Sequence, residues 1–364
     1  MKKVGREVLF LSTGQDNPRN GEGAMIRRKD GSILLVYTAY YGNDWADHCS
    51  ANLSAYLSFD EGETWEGPRV IVKKDEKAQN IMSVSLLRMN NGDIGLFYIR
   101  KVMVDGMGLD EIVLRRSADE GETWGEAHVC LPSDDYRVLN NDRVVKLKSG
   151  RLLMPVAVHS PTHPGFGAGY KRGEVVVYRS DDDGYNWTPS HRVLSPFDHD
   201  WDGLQEPGVF ELPDGKVWMF IRTPYGHQYE SFSTDGGENW CPVRPSLNFP
   251  SPLSPMQVKT VGKHTVAVFN PVPRAAWKLM EDKKYFWRVW GRTPYALSVS
   301  DDGGVTFPQT YLLEDDINDD YCYPAVIEGK DYFLVAYYHS NGTDVALNSL
   351  KVTKVMYSEM TEEG

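Results

Sequence analysis

Six stretches of the chain share one arrangement of polar and apolar positions: a polar turn containing glycine, then a run of mainly apolar residues. They read DGSILLVYTAY, NGDIGLFYIRK, SGRLLMPVAVHS, DGKVWMFIRTP, GKHTVAVFNP and GKDYFLVAYYHS, with turn glycines at Gly31, Gly92, Gly150, Gly215, Gly262 and Gly329. β-Branched and aromatic residues dominate the runs and long helical periodicity is hard to find, so each run is a predicted strand following a hairpin. A second pattern keeps phase with the first: SFDEGETW, SADEGETW, SDDDGYNW, STDGGENW and SDDGGVTF, beginning at Ser58, Ser117, Ser180, Ser233 and Ser300. A repeat of roughly sixty residues, made of a hairpin, a strand ending in Ser, the box turn and another strand, is a four-stranded unit. Six units predict an all-β fold, a six-bladed β-propeller of four-stranded antiparallel blades, as one domain over residues 1–364. The sixth unit has no box, and the N-terminal strand REVLFL is expected to complete it and close the ring.

The boxes have roles in folding. Their Asp can accept from backbone N–H groups of its own turn, their Gly supplies a positive φ, and Trp, or Phe307 in the last copy, can bury a large area against the blade. Five copies around a ring cannot all face one site. DDDGYNW resembles the start of a calcium loop, but the terminal Glu and both flanking helices are missing, so no metal is expected.

Bulk composition narrows the function. A net charge of −12 argues against a general binder of nucleic acid or anionic membrane. Cys49, Cys130, Cys241 and Cys322 lie far apart with no CxxC pair, so reduced thiols are expected rather than a disulfide framework or a zinc site. The N-terminus MKKVGREVLFLSTGQD carries an apolar run too short for a signal-peptide core, and no apolar stretch is long enough to span a membrane. A cytoplasmic location is the expectation.

A propeller binds ligands where loops from several blades meet at one end of its channel. Two sets of equivalent positions fit. One is the start of each innermost strand: NPRNGEG, NIMSVS, LNNDRV, LQEPGV, PLSPMQ and YCYPAV. The other is the far end of the following strand: Tyr40, Arg100, His159, Arg222, Asn270 and His339. The first set is unusually polar and aromatic for strand starts. In its NNDR stretch, Asn141, Asp142 and Arg143 read as ligands for sugar hydroxyls.

Five Asp-boxes in six repeats resemble the sialidase (neuraminidase) superfamily over nearly the whole chain. The resemblance implies a retaining exo-glycosidase acting on a terminal sialic acid or related acidic sugar, with no cofactor. In QEPGVFELPDGKVWMFIRT, Glu206 and Arg222 match the sialidase Glu that deprotonates a nucleophilic Tyr and an Arg that binds the substrate carboxylate. The nucleophile falls at the opening of the last inner strand, DDYCYPAVIEG. Tyr321 is the first choice, and Tyr323, two residues on, would share its strand face. A phenol becomes nucleophilic only once a carboxylate takes its proton, which Glu206 would do. Arg292, in WGRTPYALSVS, matches a second carboxylate-binding Arg; its planar fork suits both carboxylate oxygens. Asp47, ahead of the first box, matches the general acid, with Asp44 as its alternate.

The pattern departs in the first blade. Gly21-Glu22-Gly23 stand where sialidases carry Arg-Ile-Pro, whose Arg is a third carboxylate ligand. Arg19, Arg100 or Arg143 would have to supply that charge. The departure keeps two rivals open: a propeller glycosidase or polysaccharide lyase for a different sugar, using Tyr, His159 or His339 and Arg as acid–base groups, and a carbohydrate-binding propeller without catalysis. The partner in every case is a carbohydrate.

Overall fold

In the computed structural model, residues 1–104, 107–159, 172–193, 203–273, 291–340 and 347–360 are described. They form six antiparallel sheets around a ring. Blade 1 is β2 (Asn20–Arg27), β3 (Ile33–Tyr40), β4 (Ala51–Ser58) and β5 (Glu66–Val72). Blade 2 is β6 (Ala78–Arg88), β7 (Ile94–Val104), β8 (Met107–Ser117) and β9 (His128–Leu131). In blade 3 the innermost position is split between β10 (Arg137–Val138) and β11 (Val145–Lys146). Both pair with β12 (Leu152–Val158), and β13 (Glu174–Ser180) and β14 (Thr188–Pro189) follow.

Blade 4 is β15 (Gln205–Glu211), β16 (Val217–Arg222), β17 (His227–Ser233) and β18 (Arg244–Pro250). Blade 5 is β19 (Gln257–Val261), β20 (His264–Phe269), β21 (Tyr295–Ser300) and β22 (Gln309–Glu314). Blade 6 takes β23 (Asp320–Glu328), β24 (Tyr332–Ser340) and β25 (Ser349–Met356), and its fourth strand is β1 (Arg6–Leu11) from the other end of the chain.

The core is a ring of six apolar layers, one between each pair of neighbouring blades. Strands such as VWMFIR are apolar almost throughout because both of their faces are covered. Val217, Met219 and Ile221 pack toward blade 3, while Trp218 and Phe220 pack toward blade 5. Burial of each such side chain is worth roughly 1.5–3 kcal/mol, so these layers dominate the stability.

The boxes lock their own turns. In the first, Ser58 Oγ donates to Asp60 Oδ1 at 2.9 Å and accepts from Gly62 N at 2.8 Å, and Asp60 Oδ1 also accepts from Thr64 N at 2.8 Å. The same contacts recur around Asp119, Asp182, Asp235 and Asp302. Those donors pull all five carboxyls down to about 2. The box joins the third strand of a blade to the fourth, and the glycine hairpin joins the first to the second. Antiparallel order therefore puts both at one end of the ring and leaves the other end for the β3–β4 loop and the starts of the inner strands.

Candidate functional site

The starts of the inner strands break the regular pleat. Pairing slips between Gly21 and Ala24, Met82 and Ser85, Gln205 and Gly208, and Cys322 and Ala325. Each slip holds one non-glycine residue in the left-handed region: Glu22 (φ 49°), Ser83 (61°), Glu206 (46°) and Tyr323 (58°). Asp142 (56°) does the same between β10 and β11. A bulge of this kind re-aims a side chain that the pleat would place elsewhere.

Tyr323 and Glu206 meet across the ring. The Tyr323 hydroxyl donates to Glu206 Oε1 at 2.7 Å. Arg222 Nη1 lies 2.5 Å from Glu206 Oε2 and 3.3 Å from the same hydroxyl, so it bridges the pair. The Arg292 guanidinium stands 5.5 Å from the centre of the Tyr323 ring. Its Nη1 donates to Cys322 Sγ at 3.1 Å and its Nη2 to Leu253 O at 3.2 Å. Gly208 leaves room for this packing: a Cβ there would come within 2.2 Å of the Phe220 ring and 3.0 Å of Arg143 Nη1. Arg143 is buried over Phe220, 5.5 Å from its ring centre, and burial lowers it to about 10, so it stays cationic at neutral pH.

The electrostatics of the pair fix which partner carries the proton at rest. Burial pushes the Glu206 carboxyl up, but Arg222, the Tyr323 hydroxyl and Arg292 together outweigh it and hold Glu206 below its ordinary value. Burial and the Glu206 charge raise the Tyr323 phenol well above its ordinary value. The resting pair is therefore a neutral phenol facing a carboxylate.

Across the channel, Arg19 lies between the rings of Tyr40 and Tyr338, 4.8 Å and 5.1 Å from their centres. Its Nε donates to the Tyr338 hydroxyl at 2.8 Å, its Nη2 to Glu22 Oε1 at 3.1 Å and its Nη1 to Asp47 Oδ1 at 2.5 Å. The Ser83 hydroxyl donates to Glu22 Oε2. Glu22 is 4% exposed, while the Asp47 side chain is 59% exposed at the rim. Partial desolvation by its neighbours pushes Asp47 up despite that exposure, yet Arg19 and the buried Lys101 hold it down at about 2.

Several expectations need correction. Tyr321 does not meet Glu206. It is 2% exposed, its hydroxyl donates to Asp319 Oδ2 at 3.2 Å, and its ring packs among Tyr295, Tyr337 and His339. The left-handed backbone at Tyr323 itself breaks the two-residue alternation, so the two tyrosines do not share a face. Arg100 is taken up by Asp75 and Glu111 at 2.7 Å; Lys101, the next residue, is the buried cation whose charge acts on Asp47.

Asn141 and Asp142 are engaged by protein rather than open for sugar. Asn141 Nδ2 donates to Gly23 O at 2.9 Å and Tyr323 O at 3.2 Å. Asp142 accepts from Gln257 Nε2 and Lys259 Nζ, each at 3.0 Å. They tie blade 3 to blades 1, 5 and 6. Asp44 caps its own turn, accepting from Ala46 N at 3.1 Å. His339 pairs with Asp319 at 2.8 Å, outside the Tyr323 cluster, and His159 packs against Tyr136. Glu22 and Ser83 lie in two of the strand starts that fit a channel site, NPRNGEG and NIMSVS, but neither was singled out as a ligand, and Lys101 carried no signal.

The BNR repeat-like domain model matches residues 51–335. The chain belongs to that family. With its six four-stranded blades it is a BNR propeller of the sialidase superfamily. A curated relative, the anhydrosialidase of the leech Macrobdella decora, is 27% identical over 156 residues, which are 41% of this chain and 18% of that protein. The matched stretch thus spans less than a fifth of the relative's length.

Among solved structures, the intramolecular trans-sialidase of Ruminococcus gnavus superposes with a TM-score of 0.73 at 14% identity, covering 98% of each chain. The NanB sialidase of Streptococcus pneumoniae gives 0.71 at 14% identity, covering 99% of this chain and 71% of that one. At these identities the likeness is one of fold.

Proposed function

We propose that this propeller is a retaining glycosidase of the sialidase type acting on an acidic sugar, with Tyr323 as nucleophile. The observation that carries the reading is the 2.7 Å hydrogen bond from the Tyr323 hydroxyl to Glu206, with Arg222 bridging both. Tyr323 Oη attacks the anomeric carbon while its proton passes to Glu206. The glycosidic bond breaks, and the leaving oxygen takes a proton from Asp47. In the second step Asp47 removes a proton from water, the water oxygen bonds to the anomeric carbon, and the Tyr–sugar bond breaks as Glu206 returns the proton. This is the tyrosine variant of the double displacement. A neutral nucleophile also avoids repelling an anionic sugar, whose acid group Arg222 and Arg292 would hold. The Ruminococcus gnavus neighbour is an intramolecular trans-sialidase and the Streptococcus pneumoniae one a sialidase, which is in keeping with this substrate class.

Fluorophore release from 4-methylumbelliferyl α-sialoside and 4-methylumbelliferyl glucuronide tests the reading. Tyr323→Phe should lose on the order of 10³-fold in kcat/KM, the scale expected for a lost nucleophile or its base. Tyr321→Phe should stay within about tenfold, since that hydroxyl is committed to Asp319. Wild-type turnover that survives in Tyr323→Phe removes the proposed nucleophile, and binding without turnover in the wild type supports a carbohydrate-binding propeller instead.

A further inference from the structure

The hydroxyl–carboxylate–arginine arrangement of Tyr323, Glu206 and Arg222 has a counterpart on the opposite side of the channel. There the Ser83 hydroxyl donates to Glu22, and Arg19 Nη2 holds the other carboxylate oxygen at 3.1 Å. All four hydroxyl and carboxylate residues sit at the left-handed bulge of an inner strand. Holding a non-glycine residue there strains the backbone, and such strain concentrates where a side chain must be aimed. Glu22 and Ser83 take no part in the proton transfer between Tyr323 and Glu206.

Resting on that reading of the site, we propose that Glu22 and Ser83 form a subsite that reads hydroxyl groups on the edge of the sugar turned away from Arg222 and Arg292.

The chemistry of the pair sets the class of ligand. A carboxylate offers about four lone-pair positions, and Arg19 and Ser83 occupy one on each oxygen of Glu22. Glu22 also feels the charges of Asp47 and Glu206. A ligand acid group placed among three carboxylates would be repelled, whereas O–H donors are accepted. Arg222 and Arg292, on the blade 4 and blade 5 side, supply the opposite preference. An acidic sugar therefore binds in one direction, with its acid toward those arginines and its hydroxyls toward blades 1 and 2. Arg19 does not compete for the acid, because two carboxylates, Glu22 and Asp47, already neutralise its charge.

The test is equilibrium binding by titration calorimetry of three probes: N-acetylneuraminate, D-glucuronate, and cyclohexanecarboxylate, which keeps a six-membered ring and an acid but has no hydroxyls. Wild type should bind at least one of the two sugars about tenfold more tightly than cyclohexanecarboxylate, the discrimination expected when a site is built for hydroxyls. Glu22→Gln and Ser83→Ala should each erase most of that preference while leaving cyclohexanecarboxylate affinity unchanged, with thermal melts confirming that both variants are folded. Equal affinity for all three probes in the wild type, no saturable binding of any, or a preference that persists in both variants would overturn the proposal. Tyr323→Phe separates the two readings. It should abolish turnover yet keep the hydroxyl preference, and a preference intact in an enzyme whose turnover survives Tyr323→Phe would sink the nucleophile and spare the subsite.

Discussion

Two buried glutamates with arginine partners differ because of what else they face. Glu206 meets Arg222 and Arg292 and is held below its ordinary value. Glu22 shares Arg19 with Asp47 and feels both Asp47 and Glu206, so burial wins and its carboxyl is raised. The difference gives a pH prediction. Glu206 must be ionised to accept the Tyr323 proton, so the acid limb of kcat/KM that it sets lies below the ordinary glutamate value. Arg222→Gln removes the main opposing cation and leaves burial, which raises the carboxyl. Activity should then fail first on the acid side, with that limb moved up by about one pH unit or more. A pH–rate profile of the two proteins checks this, and an unmoved limb would mean that Glu206 is not the group that titrates. Asp47 has the reverse problem: at about 2 it is an anion while Arg19 holds it, so it must separate from Arg19 before it can carry a proton.

At the scale of the element, the bulges decide what could be read from sequence. The strands, the box turns and the six-fold count follow from period and turn chemistry, and the structure bears them out. Glu206 with Arg222 was legible because a hairpin fixes their separation. The choice between Tyr321 and Tyr323 was not, since a rule of two-residue alternation holds only while the backbone stays extended and the left-handed Tyr323 ends it. Nothing in YCYPAV announces that slip. Asn141 and Asp142 were misread for a related reason: polar residues at a channel end look like ligands until their partners on other blades are known.

A buried pair in blade 2 was equally hidden. Lys101 and Asp110 are cross-strand neighbours on β7 and β8. Asp110 is 1% exposed, and neither of its carboxylate oxygens finds a hydrogen-bond partner among the described residues. Burial raises it to about 7, against the pull of Lys101 and Arg137. A carboxyl raised in the folded state stabilises it most at low pH, and that contribution is lost as pH rises from the ordinary carboxylate range through 7. Asp110→Asn should therefore flatten the fall in melting temperature between pH 5 and 8 and match or exceed wild type at pH 8. A melt series across that range tests it, and an unchanged slope would place the pH sensitivity elsewhere.

For the whole molecule, closure of the ring and assembly of the site are one problem. β1 pairs with β25, Val4 N donates to Leu312 O of blade 5 at 2.9 Å, and Val4 and Leu11 are buried in the layers on either side of blade 6. Blade 6 carries Tyr323 and Tyr338, and across the next seam blade 1 carries Glu22. At that seam Tyr338 holds Arg19, and a Cβ on Gly21 would fall within 1.8 Å of the Tyr338 ring. Asn141 pins both sides of it, through Tyr323 O and Gly23 O.

Removing residues 1–11 takes away two buried aliphatic side chains worth roughly 3–6 kcal/mol together. It also leaves β25 as an unpaired edge, which invites association. The truncated chain should melt roughly 4–8 °C below the full chain, given the unfolding entropy of a chain this long. It should also lose sugar binding at temperatures where its circular dichroism is still native, because the blade 6–blade 1 seam loosens before the blades unfold. Loss of binding and of structure at one temperature would mean that the ring opens only when the whole propeller melts.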